Sequence, residues 1–172
     1  MNSRPFHLKQ GAFFHNGKNY AGVVTTVDLP DLESKREEQE VISMMGAWKL
    51  NKGITIGEVS IKGVDYMPDI AKVALAIDGG QQLFQVYGYF SQDTGPTGGK
   101  ALEILIKGSV TKRAGFTTGG GENTEFEFTV DDIEEYQEKY DGTEIYYYNR
   151  SLNIFNVNGI NQFAEMNAAL GQ

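Results

Sequence analysis

Apolar and polar residues alternate along much of the chain, which is the pattern of a β-strand that buries one face. From Lys100 to Arg113, apolar residues occupy almost every second position as far as Val110. The same alternation runs through Gln82–Phe90 and Glu125–Val130. These segments are therefore predicted to be strands of a largely antiparallel sheet.

The N-terminal part of the chain is predicted to form a hairpin. Gly11–His15 precedes Asn16-Gly17, a dipeptide that favours a two-residue turn with positive φ at both positions. Lys18–Val27 is rich in β-branched residues and is predicted to return as the second strand, ending at Leu29-Pro30.

The segment from Asp31 to Gly53 changes character abruptly. Asp31–Glu40 is charged at nearly every position, whereas Val41–Trp48 is apolar. One interpretation is a short solvated helix followed by a buried strand. The other is an extended arm whose apolar tip is buried in a partner, since Met and Trp are adaptable interface residues with large contact areas.

Two elements are expected between the arm and Gln82. Ile54–Val64 is predicted to be a strand with a bulge at Gly57, because the apolar alternation changes phase there. Asp65–Ile77 is predicted to be a helix, since Pro68 suits a first helical turn and the apolar spacing that follows is three and four.

The C-terminal part contains one ambiguous segment. In Asp131–Tyr140 the apolar spacing alone favours a helix, and Asp141-Gly142 then signals a hairpin turn. Three elements are predicted beyond that turn: strands at Thr143–Tyr148 and Asn153–Val157, and a helix at Asn161–Leu170 capped by Gly171. The whole chain, residues 1–172, is expected to be one mostly β domain, an antiparallel barrel or sandwich with two short helices.

Composition excludes several classes of function. There is no cysteine and only His7 and His15, which excludes disulfide scaffolds, thiolate zinc sites and cysteine nucleophiles. A net charge of −8 argues against a protein that binds nucleic acid by neutralising phosphates. Because residues 1–5 lack the apolar run of a leader and no long apolar stretch follows, we expect a soluble chain without a membrane anchor, intracellular when made.

Candidate chemical sites are weak. Gly119–Gly121 lacks the lysine and the strand-to-helix context of a phosphate loop, so a hairpin tip is the better interpretation. The carboxylates of Asp131, Asp132, Glu134 and Glu135 lack the spacing of a calcium loop, and a solvated acidic face is favoured. The sequence contains no serine nucleophile elbow for which His15 could act as the catalytic base. We therefore predict no catalytic, cofactor or metal site, and no enzyme activity.

The order of several short segments resembles the major tail tube proteins of contractile-tailed phages, and also the tube proteins of R-type pyocins. The segments that carry this resemblance are Phe13–Gly22, Leu29-Pro30-Asp31-Leu32, the charged Glu33–Glu37 leading to Met44-Met45-Gly46, Tyr140–Ile145, Asn153–Gln162 and Leu170-Gly171. The chain departs from the family pattern at Asp131–Glu135, where the relatives carry an apolar, aromatic strand and one residue fewer. The resemblance favours a strand there, either bulged or broken by a turn.

The resemblance implies a structural subunit whose hexameric rings stack into a hollow tube in the virion tail, assembled in the host cytoplasm. The implied partners are further copies of the chain, the sheath, the tape-measure protein, the baseplate and the tail terminator. DNA would pass through the lumen without specific binding, and the acidic composition suits such a wall because it repels phosphate. Two alternatives stay open: a pyocin-like or secretion-type tube without DNA, and a monomeric β-barrel that binds a small ligand or a sugar.

Two sets of residues are predicted to serve a tube. The arm, residues 31–53, is expected to contact other subunits through Leu32, Glu33, Lys35, Arg36, Glu37, Ile42, Met44, Met45 and Trp48. The family builds its inner barrel from long strands, and alternation on those strands places Val59, Ile61, Leu102, Ile104, Ile106, Phe126 and Phe128 on the core face. The opposite face, expected to line the lumen, carries Asp28, Glu58, Lys62, Glu103, Lys107, Glu125 and Glu127.

Overall fold

The structure of the chain is a computed structural model that describes residues 7–40, 47–76, 80–92, 98–116 and 125–171, with the backbone alone at 38–40, 47–52 and 170. Strands dominate it, and two short helices accompany them, as predicted. The elements are β1 (His7–His15), β2 (Lys18–Asn19), β3 (Val24–Asp28), β4 (Leu32–Glu40), β5 (Ala47–Ile56), β6 (Val59–Gly63), α1 (Pro68–Val73), β7 (Gln82–Ser91), β8 (Lys100–Arg113), β9 (Phe126–Tyr140), β10 (Thr143–Asn149), β11 (Ile154–Val157), β12 (Ile160–Asn161) and α2 (Ala164–Leu170).

One antiparallel sheet holds ten of the strands, and it branches at β9. The main path runs β12-β11-β10-β9-β8-β7-β1-β2. The first residues of β9, Phe126–Val130, pair with β6, which in turn pairs with β3. The later residues, Glu135–Tyr140, pair with β10, and β8 pairs with both parts. Together β3, β6, the first part of β9 and the end of β8 form a four-stranded sheet.

The sheet curls so that β3 comes to face β1 and β7 without pairing with them. A cleft of about 300 Å³ lies between them, lined by Val24–Val27 on one side and by Phe13 and Val86 on the other. The core fills the space inside the curl. Both parts of the sheet contribute to it, with Phe84, Ile104, Ile106 and Tyr136 from one and Val59, Ile61, Phe128 and Val130 from the other.

The ambiguous segment at Asp131–Tyr140 is a strand with a bulge. Lys107 pairs with Glu135 but Ser109 pairs with Asp131, so residues 132–134 stand opposite Gly108 alone. Asp132 takes a left-handed φ of 52° at this point. The bulge turns Ile133 back into the core, where it is 5% exposed. This is why the apolar spacing imitates a helix: the bulge, not a helical turn, changes the phase.

Gly108 makes that bulge possible because a larger side chain would not fit under it. A Cβ at position 108 would lie 2.9 Å from Val130 Cγ1 and from Ile133 Cδ1, and 3.0 Å from the Asp131 carbonyl oxygen. These distances are too short for ordinary packing.

Two details of the predicted strands are wrong. The return strand after Asn16-Gly17 has only two residues, because the chain turns at Gly22 (φ 78°) and β3 pairs with β6 instead of β1. Gly57 is not a bulge in one strand. It separates β5 from β6, which lie in different sheets, and its N–H donates to the Asp31 carbonyl.

The first helix is also shorter than predicted. It begins at Pro68 but ends at Val73, and Leu75 follows with a left-handed φ of 62°. Ile77, the last predicted apolar position, lies outside the described residues.

Other local predictions are confirmed. β8 has the predicted bounds, and positive φ occurs at both residues of the predicted turns Asn16-Gly17 and Asp141-Gly142. Asn158-Gly159 also has positive φ at both residues. Gly171 caps α2 with a φ of 74°. In the parts of the chain that the structure describes, no helix is long and apolar enough to cross a membrane.

Candidate assembly surfaces

The arm is an antiparallel ribbon of β4 and β5, which form a sheet of their own. Its register runs from Leu32↔Ile56 at the base to Glu40↔Ala47. This agrees with the extended interpretation and excludes a helix at Leu32–Glu40. Leu32 and Ile56 pack against the core, so the base of the arm is fixed to the domain.

The structure describes the side chains of only some of the predicted contact residues of the arm. Glu33, Lys35, Arg36 and Glu37 are exposed on β4. Trp48 lies in β5, where only the backbone is described, and Ile42, Met44 and Met45 lie outside the described residues.

The predicted core face is confirmed. Val59, Ile61, Ile104, Ile106 and Phe128 are all nearly inaccessible, at 2% exposure or less. Leu102 and Phe126 are half-buried and pack against them. Apart from Glu58, the residues predicted to line a lumen therefore lie on the outer face of the curled sheet or at its edges, in two separate groups.

The first group lies on the four-stranded sheet. Lys62 stands opposite Glu127 on β9 and donates to Asp28 Oδ2 on β3 at 3.3 Å. The hydrogen bond to Asp28, and then the charges of Asp28, Glu127 and Glu125, raise the pKa of Lys62. Ser60 Oγ donates to Glu127 at 2.7 Å. One ammonium thus sits among the three carboxylates of this group, and Lys112 on β8 stands opposite Thr129 on the same sheet.

The second group lies further along β8, on the part of the sheet that contains β7 and β10. Here each charge has an opposite one across the strand pair, Glu103 with Lys139 and Lys107 with Glu135. These four charges balance one another, and Glu144 on β10 stands opposite Lys139 as a further carboxylate. Glu58 belongs to neither group, since it is exposed between β5 and β6.

Sequence reasoning missed the two edges of the four-stranded sheet. In the described structure β3 pairs with β6 on one side only. At the opposite side β7 pairs with β8 only as far as Gly108, and the Leu75 N–H donates to the Val110 carbonyl at 3.0 Å. Thr111–Arg113 at the end of β8 is exposed and forms the second edge. Edges follow from which strands pair, so no local sequence signal marks them.

A polar cluster ties the first turn to α1. Asp69 Oδ2 accepts from Lys18 Nζ at 2.5 Å and from the Tyr20 hydroxyl at 3.1 Å, and the hydrogen bond from Lys18 is the main reason that the pKa of Asp69 is lowered. Nearby, His15 is 4% exposed and its ring stacks on Phe84 at 5.0 Å. Burial lowers the pKa of His15.

The acidic cluster in β9 is engaged in ion pairs. Arg150 donates to Asp132 Oδ1, and to Glu134 Oε2 at 3.0 and 3.2 Å. The hydrogen bond from Arg150 is the main cause of the lowered pKa of Asp132, whereas the Ser151 hydroxyl comes first for Glu134. No group of three or more acidic or histidine side chains among the described residues could hold a metal ion. Gly119–Gly121 lies outside those residues.

Comparison with known proteins identifies the family. No curated protein matches the chain significantly. Among solved structures, the anti-feeding prophage baseplate (cryo-EM, 6-fold symmetrised) is similar at 12% identity and a TM-score of 0.42, over 81% of this chain and 94% of that one. The family model for phage tail tube protein FII matches residues 5–171. Because that match spans nearly the whole chain, the protein belongs to the phage tail tube protein FII family.

Proposed function

We propose that this tail tube subunit is a structural, non-enzymatic protein that closes into hexameric rings by pairing the two edges of its four-stranded sheet. The observation that carries the proposal is the pair of edges itself. β3 and Thr111–Arg113 lie on opposite sides of the same sheet, and each presents backbone groups away from its one paired neighbour. Exposed edges of this kind are templates for pairing with another chain.

The strand directions suit such a ring. Successive strands of the sheet, in the order β3, β6, β9, β8, are antiparallel, so its two edge strands run in opposite directions. When β3 of one copy meets β8 of the next, the new pair is therefore antiparallel as well. Repetition of one head-to-tail contact generates a closed ring when the rotation closes. The hexameric count is what the family resemblance implies.

The same pairing would place the first charged group on the wall of a channel. Asp28, Lys62, Glu125 and Glu127 lie on or beside the strands that join neighbouring copies. Within this group each copy contributes three carboxylates and one ammonium group, so this part of the wall would repel phosphate and let DNA slide during ejection, while Lys112 and Arg113 lie on the joined edge beside it. Glu103 and Lys107 lie beyond the joined strands, and their balanced charges do not bear on this step.

The arm would provide contacts between stacked rings. It leaves the domain at Leu32 and Ile56 as a nine-residue strand paired with a ten-residue strand, which is long enough to reach a neighbouring subunit. The sheath, the tape-measure protein, the baseplate and the tail terminator remain the expected partners in the virion tail.

Electron microscopy of the purified chain with Thr111→Pro tests the ring contact. Thr111 is the extra residue of a β8 bulge, since Val110 and Lys112 pair with the consecutive residues Val130 and Thr129. Proline is tolerated at bulges and blocks the approach of another strand. We expect a folded monomer that forms no rings, whereas Thr111→Ala, which keeps the N–H, should form rings and tubes. Rings from Thr111→Pro, or a strict monomer from the parent chain, would contradict the proposal.

A further inference from the structure

The chain contains two Asn-Gly turns with almost the same φ angles. Asn16-Gly17 joins β1 to β2, and Asn158-Gly159 joins β11 to β12. Their φ angles are 47° and 80° in the first turn and 52° and 78° in the second. Because these angles match, we expect a difference in chemical reactivity to arise from the side chains and from how easily each turn opens.

Asn-Gly is the dipeptide in which an asparagine side chain loses its amide most readily. The glycine nitrogen attacks Cγ of the asparagine, a new N–Cγ bond forms, and ammonia leaves with the proton from that nitrogen. Water then opens the resulting five-membered imide at either carbonyl, which gives aspartate or isoaspartate. Glycine favours the attack because it has no Cβ in the way. The side chain and the turn both have to leave their native geometry for the two atoms to meet.

The side chain of Asn16 is held on both of its polar atoms. Its Nδ2 donates to Gln82 Oε1 at 2.8 Å, and its Oδ1 accepts from the Leu83 N–H at 3.1 Å. The Asn16 N–H also donates to the Leu83 carbonyl. The turn is therefore tied to β7, and the neighbouring His15 is buried. These bonds have to break before the glycine nitrogen can reach Cγ.

The surroundings of Asn158 are different. Among its described contacts there is one hydrogen bond outside the strand ladder, from its N–H to the Ile145 carbonyl at 2.8 Å, and none to its side chain. β12, which follows the turn, has two residues and ends the sheet. Ile160 on that strand is 67% exposed. A short edge strand with little burial opens at low cost.

We propose that Asn158 is a modification site at which the chain spontaneously deamidates to aspartate and isoaspartate, while Asn16 keeps its amide. Aspartate adds one negative charge at the edge of the sheet. Isoaspartate adds a methylene to the main chain, so the two-residue turn no longer holds β12 in register. The next anchor is the hydrogen bond from the Gln162 N–H to the Phe155 carbonyl at 2.8 Å, and α2 follows it directly.

Peptide mapping by mass spectrometry of the full chain, aged at mildly alkaline pH, tests this site. Two hydrogen bonds hold the side chain of Asn16 and have to break before it can react. From the usual net contribution of two such bonds, we expect Asn158 to deamidate roughly tenfold to a hundredfold faster than Asn16. Isoaspartate is measured separately by enzymatic methyl transfer to the new carboxylate. In urea, where the fold is lost, the two sites should convert at similar rates. A native chain in which Asn158 keeps its amide, or converts no faster than Asn16, overturns the proposal.

Two variants distinguish the effect of the hydrogen bonds that hold Asn16 from the effect of the Asn-Gly dipeptide itself. Gly159→Ala adds a Cβ next to the attacking nitrogen and should slow conversion at Asn158 without affecting Asn16. Gln82→Ala removes the nearer acceptor of Asn16 Nδ2, leaves His15 Nε2 at 3.2 Å, and should speed conversion at Asn16 alone. If Asn16 stays as slow in Gln82→Ala as in the parent chain, the hydrogen bond to Gln82 is not what protects it, and that part of the explanation is wrong.

Discussion

Arg150 donates a hydrogen bond to the carboxylate of Asp132, the residue of β9 with a left-handed backbone. The same guanidinium reaches Glu134 on the far side of the bulge, so one side chain from the turn after β10 binds both ends of the irregular stretch. Arg150 therefore compensates the charge of the two carboxylates that flank the irregular stretch.

Replacing Arg150 by alanine should lower the free energy of unfolding by about 1 kcal/mol, because exposed ion pairs contribute a few tenths to about 1 kcal/mol each. The pKa values of Asp132 and Glu134 are lowered in the fold. The two carboxylates therefore contribute to the free energy of unfolding at pH values above the pKa values of the unfolded chain, near 3.8 and 4.5. This contribution is lost as the pH falls. Urea unfolding at pH 7 and pH 3 should show a gap between parent and variant that narrows in acid. An equal gap at both pH values would mean that the ion pairs do not stabilise the bulge.

Local patterns in the sequence predict a large part of the fold. The alternation of apolar residues correctly predicts the bounds of β8, and the Asn-Gly and Asp-Gly pairs correctly predict turns. Both kinds of signal depend only on residues that are neighbours in the sequence. Alternation also identifies the core face, including Ile61 and Phe128.

What the sequence does not predict depends on contacts between distant segments. The bulge at Asp132 changes the phase of β9, so its apolar spacing imitates a helix. Gly22 ends the first hairpin because β3 pairs with β6, a partner that no residue near Gly22 indicates. The edges at β3 and Thr111–Arg113 arise from the same long-range pairing, and the candidate ring contact is therefore visible only in the folded chain.

Replacing Gly108 by alanine should destabilise the domain by about 1–3 kcal/mol, the usual cost of overpacking a core. The new Cβ would meet Val130, Ile133 and the backbone at Asp131 within 3.0 Å, and the backbone oxygen has little room to move. Gly115→Ala is the matched control, since a Cβ there meets no atom within 4 Å. Thermal unfolding followed by circular dichroism measures both. Equal losses in the two variants would show that the tight packing under the bulge is not decisive.

The buried His15 should make stability fall in mild acid. Burial lowers its pKa from the ordinary 6.5, whereas Asp69 and Gln82 act in the opposite direction and Lys18 adds to the lowering. The unfolded chain therefore binds a proton more readily than the folded chain, so stability is full above pH 6.5 and is lost as the pH falls below it. The slope is at most about 1.4 kcal/mol per pH unit for one group.

The variant His15→Phe keeps a ring against Phe84 and removes the titration. Urea unfolding between pH 7.5 and 5.5 should show a slope in the parent and a much smaller one in the variant. His7→Gln serves as the control because His7 is exposed, and it should keep the parent slope. If the slope survives in His15→Phe, another group causes it.

Replacing the arm between Leu32 and Ile56 by a short Gly-Ser linker should give a folded subunit that forms no tubes. The two residues are paired across the ribbon and pack against the core, so a short linker closes the gap and leaves the domain intact. Electron microscopy together with circular dichroism distinguishes loss of assembly from loss of fold. Tubes of normal length from the shortened chain would remove the arm from the assembly contacts.

Reversing charge on the four-stranded sheet should turn the proposed channel wall from one that repels DNA into one that retains it. Glu125→Lys with Glu127→Lys changes the formal net charge of each subunit from −8 to −4, and ring symmetry repeats the change in every copy. Glu127 also loses the hydrogen bond from Ser60, and both new ammonium groups lie near Lys62. Exposed charges are screened over about 8–10 Å at physiological salt, so the attraction is short-ranged, but DNA inside a narrow tube stays within that distance. Preassembled tubes of the double variant should therefore retain DNA at low salt and release it as salt rises, because binding releases counterions.

Asp65→Lys with Glu165→Lys makes the same change in net charge at exposed positions outside the four-stranded sheet and is the matched control. Retention by the control pair but not by Glu125→Lys with Glu127→Lys would place DNA on another surface and would refute the assignment of the first charged group to the lumen.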